Sequence, residues 1–374
     1  MSSPRKVPLF RVHSPPGAPA AVASVLESGY LADGEESRRF EASLAEWLGT
    51  PNVVVVSDIS AAITLGLFLA GVKPGDEVIA PPMVCTATTM PIANLFAVPA
   101  WGDVDALTGM LLPSEVARRK TAKSRAVVAY HWGGDVAEVE SLQKAAEAEG
   151  LKLIEDASDA LGGEIAGKRI GNSAADFTAL SFRATKQLTS GEGGALVCRR
   201  KEDAERARWL RRYGIHTPSF RLPNGDLNPA SDIPVAGFNF PLINVNAAIG
   251  NAQWPHLARN VARIRDNAAY YDRELPKVKG LTLLKRRSDA VSGWWTYNLL
   301  AERRAQLVEK LTKAGVGSQR LHVRNDVYSC FASSARPQLP GTDAFDTQNV
   351  SIPVGWWVSD EDRAYVVEQL ASGW

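Results

Sequence analysis

Seven short runs of β-forming residues, separated mostly by segments of helical period, constrain this chain more than any other feature. The runs are VVVVS (Val53 to Ser57), EVIAP (Glu77 to Pro81), AVPAWGDVD (Ala97 to Asp105), AVVAYHW (Ala126 to Trp132), LKLIED (Leu151 to Asp156), FTALSF (Phe177 to Phe182) and GALVC (Gly194 to Cys198). Helical spacing occupies Ser60 to Gly71, Glu138 to Gly150, and Lys201 to Tyr213 with Gly214 closing it. Strands buried on both faces read as continuous apolar runs, so the pattern predicts an α/β fold with a mainly parallel seven-stranded sheet covered by helices. The last two runs are joined only by RATKQLTSGEGG, too short for a crossover helix, so GALVC should run antiparallel to its neighbour.

Beyond residue 216 the pattern changes. The Pro/Asn-rich stretch HTPSFRLPNGDLNPASDIPVAG reads as an exposed loop that serves an active site or an interface. A long helical region from about Val245 to Leu275, with a kink expected at Pro255, leads to GLTLL, WTYNLLA, a helix from Ala305 to Ala314, GSQRLHV and a closing helix from Asp360 to Leu370. At roughly 150 residues per domain, 374 residues accommodate a large sheet domain with its N-terminal segment (1–250) and a smaller C-terminal α/β domain (251–374).

Charge removes several classes of partner. Lys plus Arg total 42 against 41 for Asp plus Glu, so no basic excess points to nucleic acid or an anionic membrane. The opening MSSPRKVPLFRVHSPPG lacks the apolar core of a signal peptide, and Ala61 to Val72 is too short to span a bilayer, so a cytoplasmic location is expected. Cys85, Cys198 and Cys330 form no CxxC or Cys/His cluster, which implies neither disulfide nor metal, and Cys198 and Cys330 read as core residues. GxSxG, HExxH and GxxxxGK[ST] are absent, which removes serine hydrolases, zinc proteases and P-loop enzymes.

Lys186 stands out by its surroundings. It lies in the turn between two buried strands, flanked by Ser181 and Ser190, where α/β proteins bind ligands at strand ends. A lysine desolvated there can form a Schiff base with an aldehyde cofactor. Asp156 closes LKLIED thirty positions earlier, and a carboxylate at a strand terminus is what a pyridoxal ring needs to keep its nitrogen protonated. Ser57, Asp58 and Ser60 precede a helix whose start is an anion site. Taken alone they read as plain N-caps; with Lys186 and Asp156 they read as a phosphate cup, to which Ser181 contributes.

The segments SGYLADGEESRRFEASLAEWLG, VSDISAAITLGLFLAGVKPGDEVIAP, EDASDALGG, ADFTALSFRATKQLTSGEGG, GFNFPLINVNAAIGNAQ and IPVGWW give the chain a resemblance to the DegT/StrS family of pyridoxal-phosphate-dependent sugar aminotransferases. The resemblance covers nearly the whole chain, and the EDA and SFxxxKxxxxGEGG pair is its most specific part. It implies the aspartate-aminotransferase fold (fold type I) and a homodimer with active sites shared across the interface. By the same resemblance Lys186 anchors the cofactor, Asp156 bonds the pyridine nitrogen, Ser181 binds phosphate, and Asn239 of the GxN segment reaches the neighbouring subunit's phosphate. Ile59 and Ser60 replace the family's usual Gly-Thr at the phosphate loop. Cys85 stands where many relatives stack an aromatic on the ring, and Asp159 stands where Gln or His is common. A carboxylate at that point is repulsive beside the cofactor's phenolic oxygen unless protonated or aimed at substrate. Pro241 replaces an Arg common in the GxN segment, so contacts made by that Arg do not carry over.

His131 and Trp132 lie at a strand end that is either an active-site mouth or a packed terminus, and His322 in RLHVRND is a candidate to reach the site from the small domain. The pairs Trp294/Trp295 and Trp356/Trp357 read as domain packing more readily than as sugar platforms. Arg183 reads as a surface charge. The implied reaction is ping-pong transamination from L-glutamate or L-glutamine to a keto sugar, nucleotide-linked, with pyridoxamine phosphate as the intermediate form of the cofactor. Its product would enter antibiotic glycosylation or surface polysaccharide. Three alternatives stay open: a keto-cyclitol acceptor, a sugar dehydratase of the same fold, against which Lys186 argues because those enzymes carry His there, and a non-catalytic regulator that binds sugar or cofactor.

Overall fold

The computed structural model describes residues 5–374. All seven β-rich runs form strands of one sheet: β1 Val53–Val56, β2 Glu77–Ala80, β3 Val98–Trp101, β4 Ser124–Tyr130, β5 Lys152–Asp156, β6 Phe177–Ser181 and β7 Gly194–Cys198. Their spatial order is β1-β7-β6-β5-β4-β2-β3. Strands β2 to β6 pair in parallel, and β7 runs antiparallel to both β6 and β1, as the short RATKQLTSGEGG connection requires.

Continuous apolar strands follow from helices on both faces. Val53 and Val55 join a core with Phe40, Leu44 and Leu48, whereas Val54 and Val56 face the core that holds Ala61, Ile63 and Leu65 of the helix Ile59–Leu69. Each of these side chains is withdrawn from water, a gain of about 1.5–3 kcal/mol apiece for a valine or leucine.

A second sheet is built later in the chain from β8 Leu281–Leu283, β9 Tyr297–Ala301 and β10 Asn349–Ile352, all antiparallel. The third strand is the fully buried NVSI run and not GSQRLHV, of which only Gln319 pairs, once, with Ser351. The helices Arg304–Lys313 and Asp360–Ala371 cover this sheet, the latter opened by a capping box between Ser359 and Asp362.

One helix, Asn244–Glu274, runs 31 residues through Pro255 and through positions 250 and 251. Its Ala247, Leu257 and Val261 belong to the core of the large sheet, while Ile264, Ala268 and Tyr271 belong to that of the small one. The Pro/Asn-rich stretch is a surface loop holding one helical turn, Thr217–Phe220, with Leu222, Leu227 and Ile233 exposed. A short ladder between Ala290–Val291 and Glu164–Ile165 then leads residues 292–296 back across the carboxyl ends of the large sheet's strands.

Candidate active site

The parallel strands β4, β5 and β6 end in Tyr130, Asp156 and Ser181, side by side at the carboxyl edge where open α/β sheets bind ligands. Tyr130 and Asp156 are register partners. Asp156 is buried, accepting hydrogen bonds from the Thr88 hydroxyl (2.6 Å) and the Ser158 amide (2.9 Å). Burial pushes its pKa above the usual carboxylate range, with the charge of Asp159 adding to the rise, against the lowering by Thr88 and Ser158. Each carboxylate oxygen keeps a second acceptor direction, and a cation placed there would relieve the desolvation.

Lys186 lies in the loop that joins β6 to β7, closed by Phe182 and Gly193 (2.8 Å) and by Ser190 and Phe182 (2.9 Å). Its ammonium group donates to Asp159 and sits 3.3 Å from the centre of the Trp295 ring. Trp295 is held in turn by its indole N–H on the Thr185 carbonyl (2.9 Å) and by stacking on Phe10 at 4.7 Å. The second oxygen of Asp159 accepts the Tyr130 hydroxyl, which also lies 2.9 Å from His322 Nε2. The sequence-based candidates Lys186, Asp159 and His322 are therefore brought together, with Asp156 beside them on the same strand ends. Cys85, at the head of the helix Thr86–Asn94, feels all three charges: burial raises its thiol pKa, Asp159 and Asp156 raise it further, and Lys186 opposes them.

Around Gly194 the chain packs closely. This residue pairs with Ser181 on one side and Val56 on the other, and a Cβ there would meet the Asp58 carbonyl at 2.4 Å. Only glycine lets β7 approach the turn Ser57–Ser60 so closely. Asp58 caps the helix Ile59–Leu69 by accepting from the Ala61 amide (2.9 Å), leaving the Ile59 and Ser60 amides without an intrahelical acceptor. The Ser60 hydroxyl makes only a long bond to the Ala87 carbonyl (3.3 Å), and the Ser181 oxygen accepts from the Arg183 amide (3.3 Å), so its proton stays available. Asn239 is exposed, in a segment anchored by Tyr213–Phe238 (2.7 Å) and Ser57–Phe240 (2.8 Å) backbone bonds.

Other candidates have different surroundings. His131 is fully buried with both ring nitrogens engaged, one with Glu155 at 2.8 Å and one accepting the Ala137 amide at 3.0 Å, so it has no atom to offer at a site mouth. Trp132 is equally buried, packed edge-on against Tyr130, His322 and Phe345. The two glycines after it receive residues 293–296: the Gly293 amide bonds the Gly134 carbonyl (2.8 Å) and the Trp295 amide bonds that of Gly133 (3.0 Å). Trp294 adopts φ 42° at this crossing. Trp295 thus contacts the lysine as well as packing between segments. Arg183 is a surface charge paired with Glu192. Cys198 lies in the core, but Cys330 is exposed, a correction that follows from its place on the short turn Ser329–Phe331, where only Phe331 points inward.

Sequence reasoning did not find Thr88, Tyr130 or Asn325. Asn325 is buried and joins the site's two sides, accepting from Thr89 (2.5 Å) and donating to the Val84 carbonyl (2.8 Å), which docks the His322 segment on the Cys85 segment. Among the described residues no cluster of metal-ligating side chains occurs, and no helix is long and apolar enough to cross a membrane.

This geometry can be set against known proteins. The chain superimposes on AtS13 from Actinomadura melliaura with a TM-score of 0.92 and 34% identity over 100% of both chains. It matches the sugar aminotransferase CalS13 from Micromonospora echinospora with a TM-score of 0.92 and 32% identity, over 98% of this chain and 100% of that one. For DesV of S. venezuelae, solved in complex with a ketimine intermediate, the values are 0.86 and 30%, over 95% of this chain and 93% of that one. The large, mostly parallel sheet is that of fold type I transferases. Residues 18–371 match the model of the DegT/DnrJ/EryC1/StrS aminotransferase family, and to that family the chain belongs.

Proposed function

We propose that this enzyme moves an amino group from L-glutamate or L-glutamine to a keto sugar, nucleotide-linked, in the biosynthesis of an aminodeoxysugar. The cofactor is pyridoxal 5'-phosphate, with pyridoxamine phosphate as its aminated form. The observation that carries the reading is the placement of a largely buried lysine amine in the loop between β6 and β7, Lys186, beside a buried carboxylate at the end of β5, Asp156, with hydroxyls and free helix amides around them. These residues fit the group in charge and in hydrogen-bonding capacity.

When bound, the cofactor supplies an electron sink for charge that develops at the amino acid α-carbon. Lys186 Nζ would be the covalent anchor and, once freed by the donor's amino group, would serve as the base that takes the α-proton and returns it two atoms along, across the donor nitrogen. Asp156 keeps the ring nitrogen protonated, and Thr88 and Ser158 fix its carboxylate plane. Ser181, Ser60 and the Ile59 and Ser60 amides hold the phosphate. Asn239 reaches the phosphate of a second subunit in a homodimer, a reading supported by its exposure on a backbone pinned at both neighbours.

The test is the near-visible spectrum of the purified protein with pyridoxal phosphate, before and after each donor. A lysine-linked absorption band that one amino acid bleaches supports the reading and identifies the donor. A band that no amino acid bleaches would overturn the transaminase reading, and absence of any band would overturn the cofactor site.

A further inference from the structure

Asp159 is enclosed by three different elements. The Lys186 loop supplies its ammonium partner, β4 supplies the Tyr130 hydroxyl, and the segment after the helix Arg304–Lys313 supplies His322 behind Tyr130. The remaining titratable groups that act on this cluster are Asp156 from β5 and Cys85 from the head of the helix Thr86–Asn94. Tyr130 has one proton to give, and Asp159, a carboxylate, can only accept it. The imidazole must therefore donate its Nε2 proton to the Tyr130 oxygen, which fixes one tautomer.

We infer that Tyr130 is a positioning residue for the transamination proposed above, holding Asp159 against the Lys186 nitrogen and locking His322 of the C-terminal segment to that same carboxylate. Burial independently keeps the two supporting groups neutral. The Tyr130 hydroxyl is pushed well above its ordinary range by burial and by Asp159, and the His322 ring is pushed down to about 4 by burial. The chain of donors His322 to Tyr130 to Asp159 thus keeps one direction at neutral pH, and the carboxylate charge is spent on the lysine nitrogen. Trp132, edge-on to both rings at 6.0 and 5.6 Å, sets the angle at which they meet.

The inference rests on Lys186 being the cofactor anchor, and its test separates the two. The readout is the pH midpoint of the lysine-linked absorption band, followed by titration of the resting protein without donor. Tyr130→Phe removes one hydrogen bond from Asp159, leaving its charge less shared, so the midpoint should rise by roughly 0.5–1 pH unit. Asp159→Asn removes the charge itself, and the midpoint should fall by about 1–3 pH units. His322→Gln, which retains an N–H donor, should lie close to wild type, whereas His322→Ala should move the midpoint in the direction of Tyr130→Phe. Shifts of opposite sign for Tyr130→Phe and Asp159→Asn support the role. An unmoved midpoint in Tyr130→Phe, with the band intact, would overturn it while leaving the cofactor site standing; absence of the band in wild type would overturn the underlying reading instead. Because Tyr130→Phe keeps the ring and its packing, a melting temperature near wild type is expected. Should that variant fail to fold, the His322 pair carries the same test.

Discussion

The substitution Gly134→Ala tests how the lysine's aromatic neighbour is held. Gly134 has φ 98°, and a Cβ built on it would stand 2.5 Å from the Trp294 amide nitrogen and 2.6 Å from the Asp159 carbonyl oxygen. Both obstacles are backbone, so relief requires the turn to move away from Asp159 and residues 293–296 to move away from the turn. Two hydrogen bonds cross that contact, Gly293 to Gly134 and Trp295 to Gly133. The left-handed conformation costs an alanine about 1–2 kcal/mol. Loosening two buried backbone bonds costs about 1 kcal/mol each, more if either group loses its partner outright. The expected loss is therefore about 3–5 kcal/mol. Gly150→Ala is the matched control, because Gly150 has φ 68° with nothing within 4 Å of the added carbon. Its cost is the backbone term alone, about 1–2 kcal/mol. Urea unfolding of the two variants against wild type isolates the contact as the difference, about 2–3 kcal/mol. Gly134→Ala falling within 1 kcal/mol of the control would refute the seating of Trp295 through this turn.

Other outcomes follow from the same contacts. Lys186→Ala should fold yet form no borohydride-reducible adduct with pyridoxal phosphate, which mass spectrometry of the reduced protein checks. Asp156→Asn should retain the adduct but lose most of its turnover, roughly 100-fold or more, in a steady-state assay with the donor. Glu155, though burial alone would lift its carboxyl, is held below the ordinary range by His131, Ser173 and Thr178. Its folded pKa being depressed, it stabilises the protein above the unfolded value near 4.3 and loses that contribution as pH falls through the folded value, so Glu155→Gln should flatten the acid limb of a pH–stability curve. Under native conditions a thiol-specific disulfide reagent should label exposed Cys330 first and leave Cys198 untouched, since burial pushes the latter's thiol up to about 12; peptide mapping reads the order.

The sheet was legible because each strand is apolar on both faces, a pattern no solvent-exposed element can carry. The antiparallel direction of β7 followed from a connection too short to hold a helix. Asp156 could be picked out because it ends such a strand, and Lys186 because it lies in the short turn between two of them. The third strand of the small sheet was not legible: NVSI is four residues long, and the longer, more polar GSQRLHV competes with it. Tyr130 was hidden for a related reason. In AVVAYHW it continues an apolar strand, and nothing in the run separates a core tyrosine from one whose hydroxyl meets a carboxylate. His131, the more conspicuous neighbour, points the other way because side chains alternate along a strand, and it spends both nitrogens on Glu155 and Ala137.

Thr88 and Asn325, which escaped local reading, share with Trp295 and His322 a property that explains why such residues are hard to read from sequence. Each belongs to a segment whose place is set by contacts more than thirty residues away: Thr88 to Asp156, Trp295 to Gly133, His322 to Tyr130, Asn325 to Val84. A strand end declares itself through its own composition, but a residue delivered onto that end by another part of the chain does so only through the surface that receives it. Here those surfaces are glycines 133 and 134, the Val84 carbonyl and the Tyr130 hydroxyl. The sheet thus supplies Asp156, Ser181 and the base of the lysine loop, while the chain after residue 290 supplies Trp295 and His322 from above. Loss of a docking contact such as Asn325 to Val84 should therefore alter the lysine's surroundings without touching the lysine, because the segment that carries His322 is fixed to the sheet edge in part through such contacts.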